Sequence, residues 1–227
     1  RGVTLADGRS LRASAVVVGA DPFKLPGLLG DALPAATKER IDGYASDGST
    51  LKLNLCLSAL PKFTCLPEER GQHRGTIHIL PQENVIASLE TAFEEVRQGK
   101  LAEFPTMEWY IHTTVDPSLS DAAGRHSAAL FVQWVPHTLS EGTWASRESD
   151  YVEHLLSICD RFAPGTSDLV VDTFPLTPPK LEARFGLTRG HIHHVDNRFG
   201  FDERMPYRTG VSGVYACSAG CHPGGSV

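Results

Sequence analysis

The sequence predicts an α/β (α+β) protein, a mixed β-sheet body with flanking helices, whose chain ends differ in character from its middle. Three observations lead there. Leu51, Leu53, Leu55 and Leu57 alternate with Lys52, Asn54 and Cys56, which is the period of a half-buried strand. Tyr151, Val152, Leu155, Leu156, Cys159 and Phe162 recur at helical spacing. Ala15 to Val18 and Val211 to Ala216 are short, largely apolar runs bounded by glycine, the pattern of strands covered on both faces.

Taken in order, Val3 to Leu5 and Leu11 to Val18 form a hairpin about Asp7-Gly8, because Asp-Gly between apolar runs supplies the positive φ of a tight turn. Gly19-Ala20-Asp21-Pro22 ends the second arm, Pro22 keeping Asp21 from helical angles. Leu33 to Tyr44 reads as a helix, with Pro34 near its start and Gly43 near its end. Thr50 to Leu57 is the alternating strand. A loop through Pro61, Pro67 and polar residues to Arg74 leads to a strand at Thr76 to Leu80. Val85, Ile86, Leu89, Phe93 and Val96 place an amphipathic helix over 84–98, closed by Gly99. Thr106 to Val115 and Ser127 to Pro136 are strands, joined by a loop with Asp116-Pro117 and Gly124. The helix bearing Tyr151 to Phe162 stops at Pro164-Gly165, and Trp144 lies just before it. Asp168 to Phe174 is a strand. Thr177 then caps a short helix that opens on Pro178 and Pro179 and reaches Gly186. The stretch 45–175 thus interleaves five strands with two helices, each strand turning one face to a helix layer and leaving one open.

Composition narrows the function. The 227 residues are 41% hydrophobic and 21% charged, which argues against general disorder and fits one large or two modest domains. A net charge of -6 without a Lys or Arg run argues against a nucleic-acid partner. No apolar stretch is long enough for a transmembrane segment. Arg1 opens inside a strand pattern, without Met or a charged-then-apolar leader, so no targeting segment is visible. Five Cys at irregular spacing make a poor disulfide framework. Reduced thiols in a cytoplasmic protein are expected, with the mitochondrial matrix as the alternative.

The chemistry-bearing candidates are few. Gly220, Gly224 and Gly225 surround His222 and Pro223 after the last strand. Such a turn lets backbone approach a flat or charged ligand, or simply supplies positive φ. Cys217 and Cys221-His222 miss the C-x-x-C-H spacing of haem attachment by one residue. His191-Ile192-His193-His194 reads as a polar loop rather than a metal site. Asp202-Glu203-Arg204 reads as a solvated loop. Trp109 and Trp134 stand on strands as core residues or, on an open sheet face, as walls for an apolar ligand. There is no H-E-x-x-H, G-x-S-x-G or P-loop.

The order of these pieces carries a resemblance. "GVTLADGRSLRASAVVVGADP", "LTPPKLEARFGLTRGHIHH" and the closing "MPYRTGVSGVYACSAGCHPGGSV" together resemble the C-terminal half of the phytoene desaturase-like flavoprotein family, over essentially the whole chain. The resemblance implies a Rossmann-like FAD domain, here incomplete, and a substrate domain on a mixed sheet. Residues 1–22 would be an FAD-domain segment, 23–205 the substrate-binding domain, and 206–227 the return to FAD. Gly220, His222, Pro223, Gly224 and Gly225 would line the isoalloxazine, with Asp21 nearby. Thr209-Gly210 stands where the family has Thr-Pro, and the family's G-x-G-x-x-G unit is not in this sequence. The expectation is therefore the C-terminal portion of an FAD-dependent dehydrogenase, desaturase or isomerase acting on an apolar small molecule, inactive alone and without FAD of its own. The alternative is a non-catalytic binding module that pairs as a homodimer.

Overall fold

The computed structural model describes residues 2–46 and 49–225. The chain divides into two compact units, Gly48–Lys180 and, at its two ends, Arg1–Asp47 with Leu181–Val227. The changeovers thus fall at 47/48 and 180/181 rather than at the expected 22/23 and 205/206. Residues 23–47 group with the ends because Leu25, Leu33 and Ile41 share a buried cluster with Met205, Ala216 and Cys221.

The central unit is built on a five-stranded sheet in the order β5-β6-β7-β4-β8. Its strands are β4 (Ser49–Leu57), β5 (Ile77–Ile79), β6 (Thr106–Ile111), β7 (His126–Val135) and β8 (Val170–Leu176). Every pairing in it is antiparallel. The mixed character expected of this sheet therefore belongs to the chain as a whole, whose parallel pairing lies in the end unit. The strand expected to reach Val115 ends at Ile111, where the backbone tightens into a 3-10 turn.

Alternation decides the two faces. Leu51, Leu53, Leu55 and Leu57 are buried, and register sets Leu53 beside Leu130 and Leu51 beside Val132. Met107 and Trp109 continue that face across β6. Against it lies α4 (Trp144–Phe162), with Tyr151, Val152, Leu155, Leu156 and Cys159 buried as their spacing requires. Trp144 is the first residue of this helix, not its prelude, since Thr143 forms a capping box with Ser146 one residue earlier. The second helix, α3 (Val85–Arg97), departs from expectation. Ala92 and Val96 are buried, whereas Ile86 is 70% exposed and Phe93 is also exposed. Small Ala92 allows the close approach, so the buried stripe is rotated from the one drawn through the large side chains. The opposite sheet face carries Lys52, Asn54 and Cys56 with their neighbours Phe131, Ala129 and Glu108.

In the end unit, β1 (Gly2–Thr4) and β2 (Ser10–Arg12) make the expected hairpin. The second arm does not continue to Val18. It breaks after Arg12, and β3 (Val16–Val18) pairs in parallel with β9 (Val214–Ala216), Val17 opposite Tyr215. This joins the two ends of the chain. The last strand is shorter than the expected run from Val211. Nor is β3 covered on both faces among the described residues: Val17, in a two-stranded sheet with β9, is 63% exposed. Short helices follow β3: α1 (Leu25–Leu29) and α2 (Ala35–Asp42). α5 (Thr166–Leu169) precedes β8, and α6 (Pro178–Phe185) spans the second changeover. No helix of the described residues is long and apolar enough to cross a membrane.

Candidate functional site

The two tryptophans proposed as ligand walls lie on the helix side of the sheet. Trp109 is fully buried, edge-on to Phe63 at 5.5 Å between centroids. Trp134 packs edge-on against Phe93 of α3 at 5.0 Å. Neither stands on the open face. That face has instead Tyr110 and Phe131, with Phe174 half-exposed beside Asn54. A surface cavity of about 230 Å³ at its end is lined by Asn54, Cys56, His126, Ser127, Asp172 and Phe174. Tyr110 donates to Glu108, and its hydroxyl is pushed up to about 12 by burial and by that carboxylate. His112, parallel to the Tyr110 ring, is held below its ordinary value by burial and by Lys52.

The terminal loop is built by the end unit. After β9, Cys217 N donates to Val18 O at 3.0 Å, which carries the pairing one step past the strand. Gly220 N donates to Ser218 Oγ at 3.2 Å and Cys221 N to Ser218 O at 2.9 Å. His222 N then donates to Met205 O, and His222 Nδ1 to Phe201 O at 2.8 Å. The ring of Tyr207 lies edge-on to His222. Tyr207 and His222 therefore form an exposed aromatic pair, and Phe201, 70% exposed, joins it through its carbonyl.

The three glycines turn out to have different reasons. A Cβ on Gly220 would fall 2.7 Å from Pro22 Cδ, so this glycine seats the loop on the turn after β3. A Cβ on Gly224 (φ +91) would fall 2.4 Å from Arg204 Nε. Among the described residues Gly225 (φ +84) has nothing within 4 Å of such an atom, although the residue itself is half-buried. Two glycines thus serve packing within the chain, and the third answers to its positive φ.

Asp21 is brought beside this loop through Pro22, yet it is 2% exposed and points inward. Its carboxylate accepts from Thr188 N at 2.9 Å and Thr188 Oγ1 at 3.1 Å, tying the β3 turn to the segment after α6. His194 lies beside Gly220 with its Nδ1 buried and unpartnered among the described residues. Burial holds its imidazole below the usual value, His193 adds to this, and the Asp21 charge opposes it. Among the described residues no group of three His, Cys, Asp or Glu is placed to hold a metal ion. Thr209-Gly210 adopts its own turn: Gly210 has φ +87, which proline's ring forbids, and Thr209 Oγ1 donates to Val214 O instead.

The sequence missed Arg204. It lies in a stretch read as solvated, yet it is 4% exposed beneath Gly224. Phe201 and Tyr207 were missed as well. The spacing of these three to the glycine loop is set by the Met205–Cys221 bridge, which no local pattern announces.

The parts present suit a planar ring: a glycine loop with positive φ at Gly224 and Gly225, an exposed Tyr207–His222 pair and a buried cation beneath Gly224. The fold is shared with a solved oxidoreductase. Over 97% of its length the chain superposes on 41% of an oxidoreductase from Methanosarcina mazei, with a TM-score of 0.55 at 16% identity. In sequence it is similar to pyridine nucleotide-disulfide oxidoreductase domain-containing protein 2 of Mus musculus, 32% identical over 100% of this chain and 41% of the relative. The Rattus norvegicus protein of the same name is 31% identical over the same shares. The chain therefore spans 41% of the length of these relatives. No protein-family model matches it.

Proposed function

We propose that this chain is the C-terminal portion of an FAD-dependent oxidoreductase of the phytoene desaturase-like kind, acting as a dehydrogenase, desaturase or isomerase on an apolar small molecule. One observation carries the reading. The loop through Gly225 is clamped by its own hydrogen bonds, a Cβ on Gly225 would meet nothing within 4 Å among the described residues, and the exposed Tyr207–His222 pair lies alongside. FAD, when bound, supplies hydride acceptance. The chain's residues supply the rest: Gly220 and Pro22 seat the loop, Asp21 and Thr188 brace it, and His222 presents Nε2 at that exposed pair. The name shared by the mammalian relatives, together with the oxidoreductase fold, supports this class. The substrate would lie along the open sheet face, where Tyr110, Phe131 and Phe174 offer apolar surface. The five free thiols suit a reducing compartment, the cytoplasm or the mitochondrial matrix.

The test uses the polypeptide that carries this chain together with a G-x-G-x-x-G strand–turn–helix unit. It should purify yellow, with flavin absorbance bands that an apolar substrate bleaches without oxygen. The chain alone should be colourless. A colourless longer polypeptide that FAD cannot reconstitute would overturn the reading and leave the binding or homodimerisation module in its place.

A further inference from the structure

We infer that Arg204 is a positioning residue for the flavin ring, a fixed buried cation that shapes the glycine loop and favours negative charge on the ring the loop carries. This rests on the FAD reading above. The guanidinium lies flush against the loop, since the missing Cβ of Gly224 would sit 2.4 Å from Nε and 2.7 Å from Cζ. Arg204 Nη1 donates to Ala219 O at 3.3 Å. Nη2 donates to Asn197 Oδ1 at 2.9 Å and to Asp196 O at 3.5 Å. All these acceptors are neutral. Among the described residues Arg204 forms no ion pair; of the adjoining carboxylates, Asp196 Oδ1 accepts from Arg198 N, and Glu203 Oε2 from Gly200 N at 2.6 Å.

A charge taken out of water without a counter-charge is costly. A neutral side chain of similar length would bridge the same two loops more cheaply. The charge is felt around it, for His193 is held low first by burial and then by Arg204. A cation with no ion-pair partner among the described residues, beneath a ligand-facing loop, marks where a ligand brings the negative charge. A flavin gains such charge when it accepts a hydride, and fixed charge near its ring tunes that step.

Sulfite reports this directly. Its lone pair bonds to a ring nitrogen and adds negative charge, and no group leaves. In the flavin-loaded longer polypeptide, Arg204→Met should weaken sulfite binding by about tenfold or more, the size expected for loss of a nearby opposite charge. It should also lower the midpoint potential. Arg204→Lys, which keeps the charge, should stay within about threefold of the parent. Retained sulfite affinity in Arg204→Met would overturn the inference. So would an equal loss in both variants with unchanged near-ultraviolet dichroism, which would leave a purely structural staple, as would loss of flavin from both. A parent polypeptide that takes up no flavin would instead overturn the FAD reading, and this inference with it.

Discussion

The central unit and the end unit were built from similar sequence material and came out differently. β4 and β3 are both apolar strands, yet Leu53 is fully buried and Val17 is 63% exposed. β4 has β7 and β8 on either side and α4 across one face, so alternation alone sorts its side chains. β3 pairs among the described residues with β9 alone, and a continuous apolar run says nothing about which face is covered. The lesson is that burial belongs to layers rather than to strands.

The largest effect should come from breaking this contrast. Leu53→Ala should cost about 2–5 kcal/mol of stability in denaturant unfolding, because the cavity cannot collapse under α4. Val17→Ala should stay within about 0.5 kcal/mol. Equal costs would mean that β3 is covered after all. The glycines sharpen the same point on a smaller scale. Gly224→Ala adds a collision with Arg204 to a strained φ, and should cost about 2–3 kcal/mol. Gly225→Ala bears strain alone and should cost about 1 kcal/mol. Comparable losses at both would remove the distinction between a loop position held by packing and one held by φ alone.

The smallest effects are pH-dependent and run in opposite directions in the two units. Tyr110 has its folded value raised to about 12 from 10.0. The neutral phenol is thus favoured by the fold, and its contribution is complete below 10.0 and lost as pH rises toward 12. Absorbance titration should lose a late-ionising phenol in Tyr110→Phe. His193 and His194 are both lowered, chiefly by burial. Their contribution is present above the ordinary value of 6.5 and lost as pH falls below it. Ring-proton NMR should find both titrating below that value, and normal titration would mean the end unit leaves them solvated.

Much of the fold was legible. The capped helix α4, the strand β4 and the order of elements through the central unit follow from periods of two and 3.6 residues, which neighbouring residues enforce on one another. The site was legible only as a glycine loop. Its spacing announced flexible backbone but not the reason for it. Gly220 answers to Pro22 and Gly224 to Arg204, and those partners lie outside any local window. Arg204 itself was misread because Asp202-Glu203-Arg204 has the composition of a surface turn. Trp109 was offered a ligand role that its strand parity denies, since it shares a face with Leu130.

From sequence alone came the elements, their buried faces wherever one residue type alternates with another, and the resemblance in the closing motif. Tertiary structure alone decided that residues 23–47 and 181–205 side with the chain ends, and that a charged side chain lies under the loop. The physical reason is range. Backbone sterics and side-chain period act over a few residues, whereas closing the chain on itself and burying a guanidinium depend on groups brought together from almost its full length.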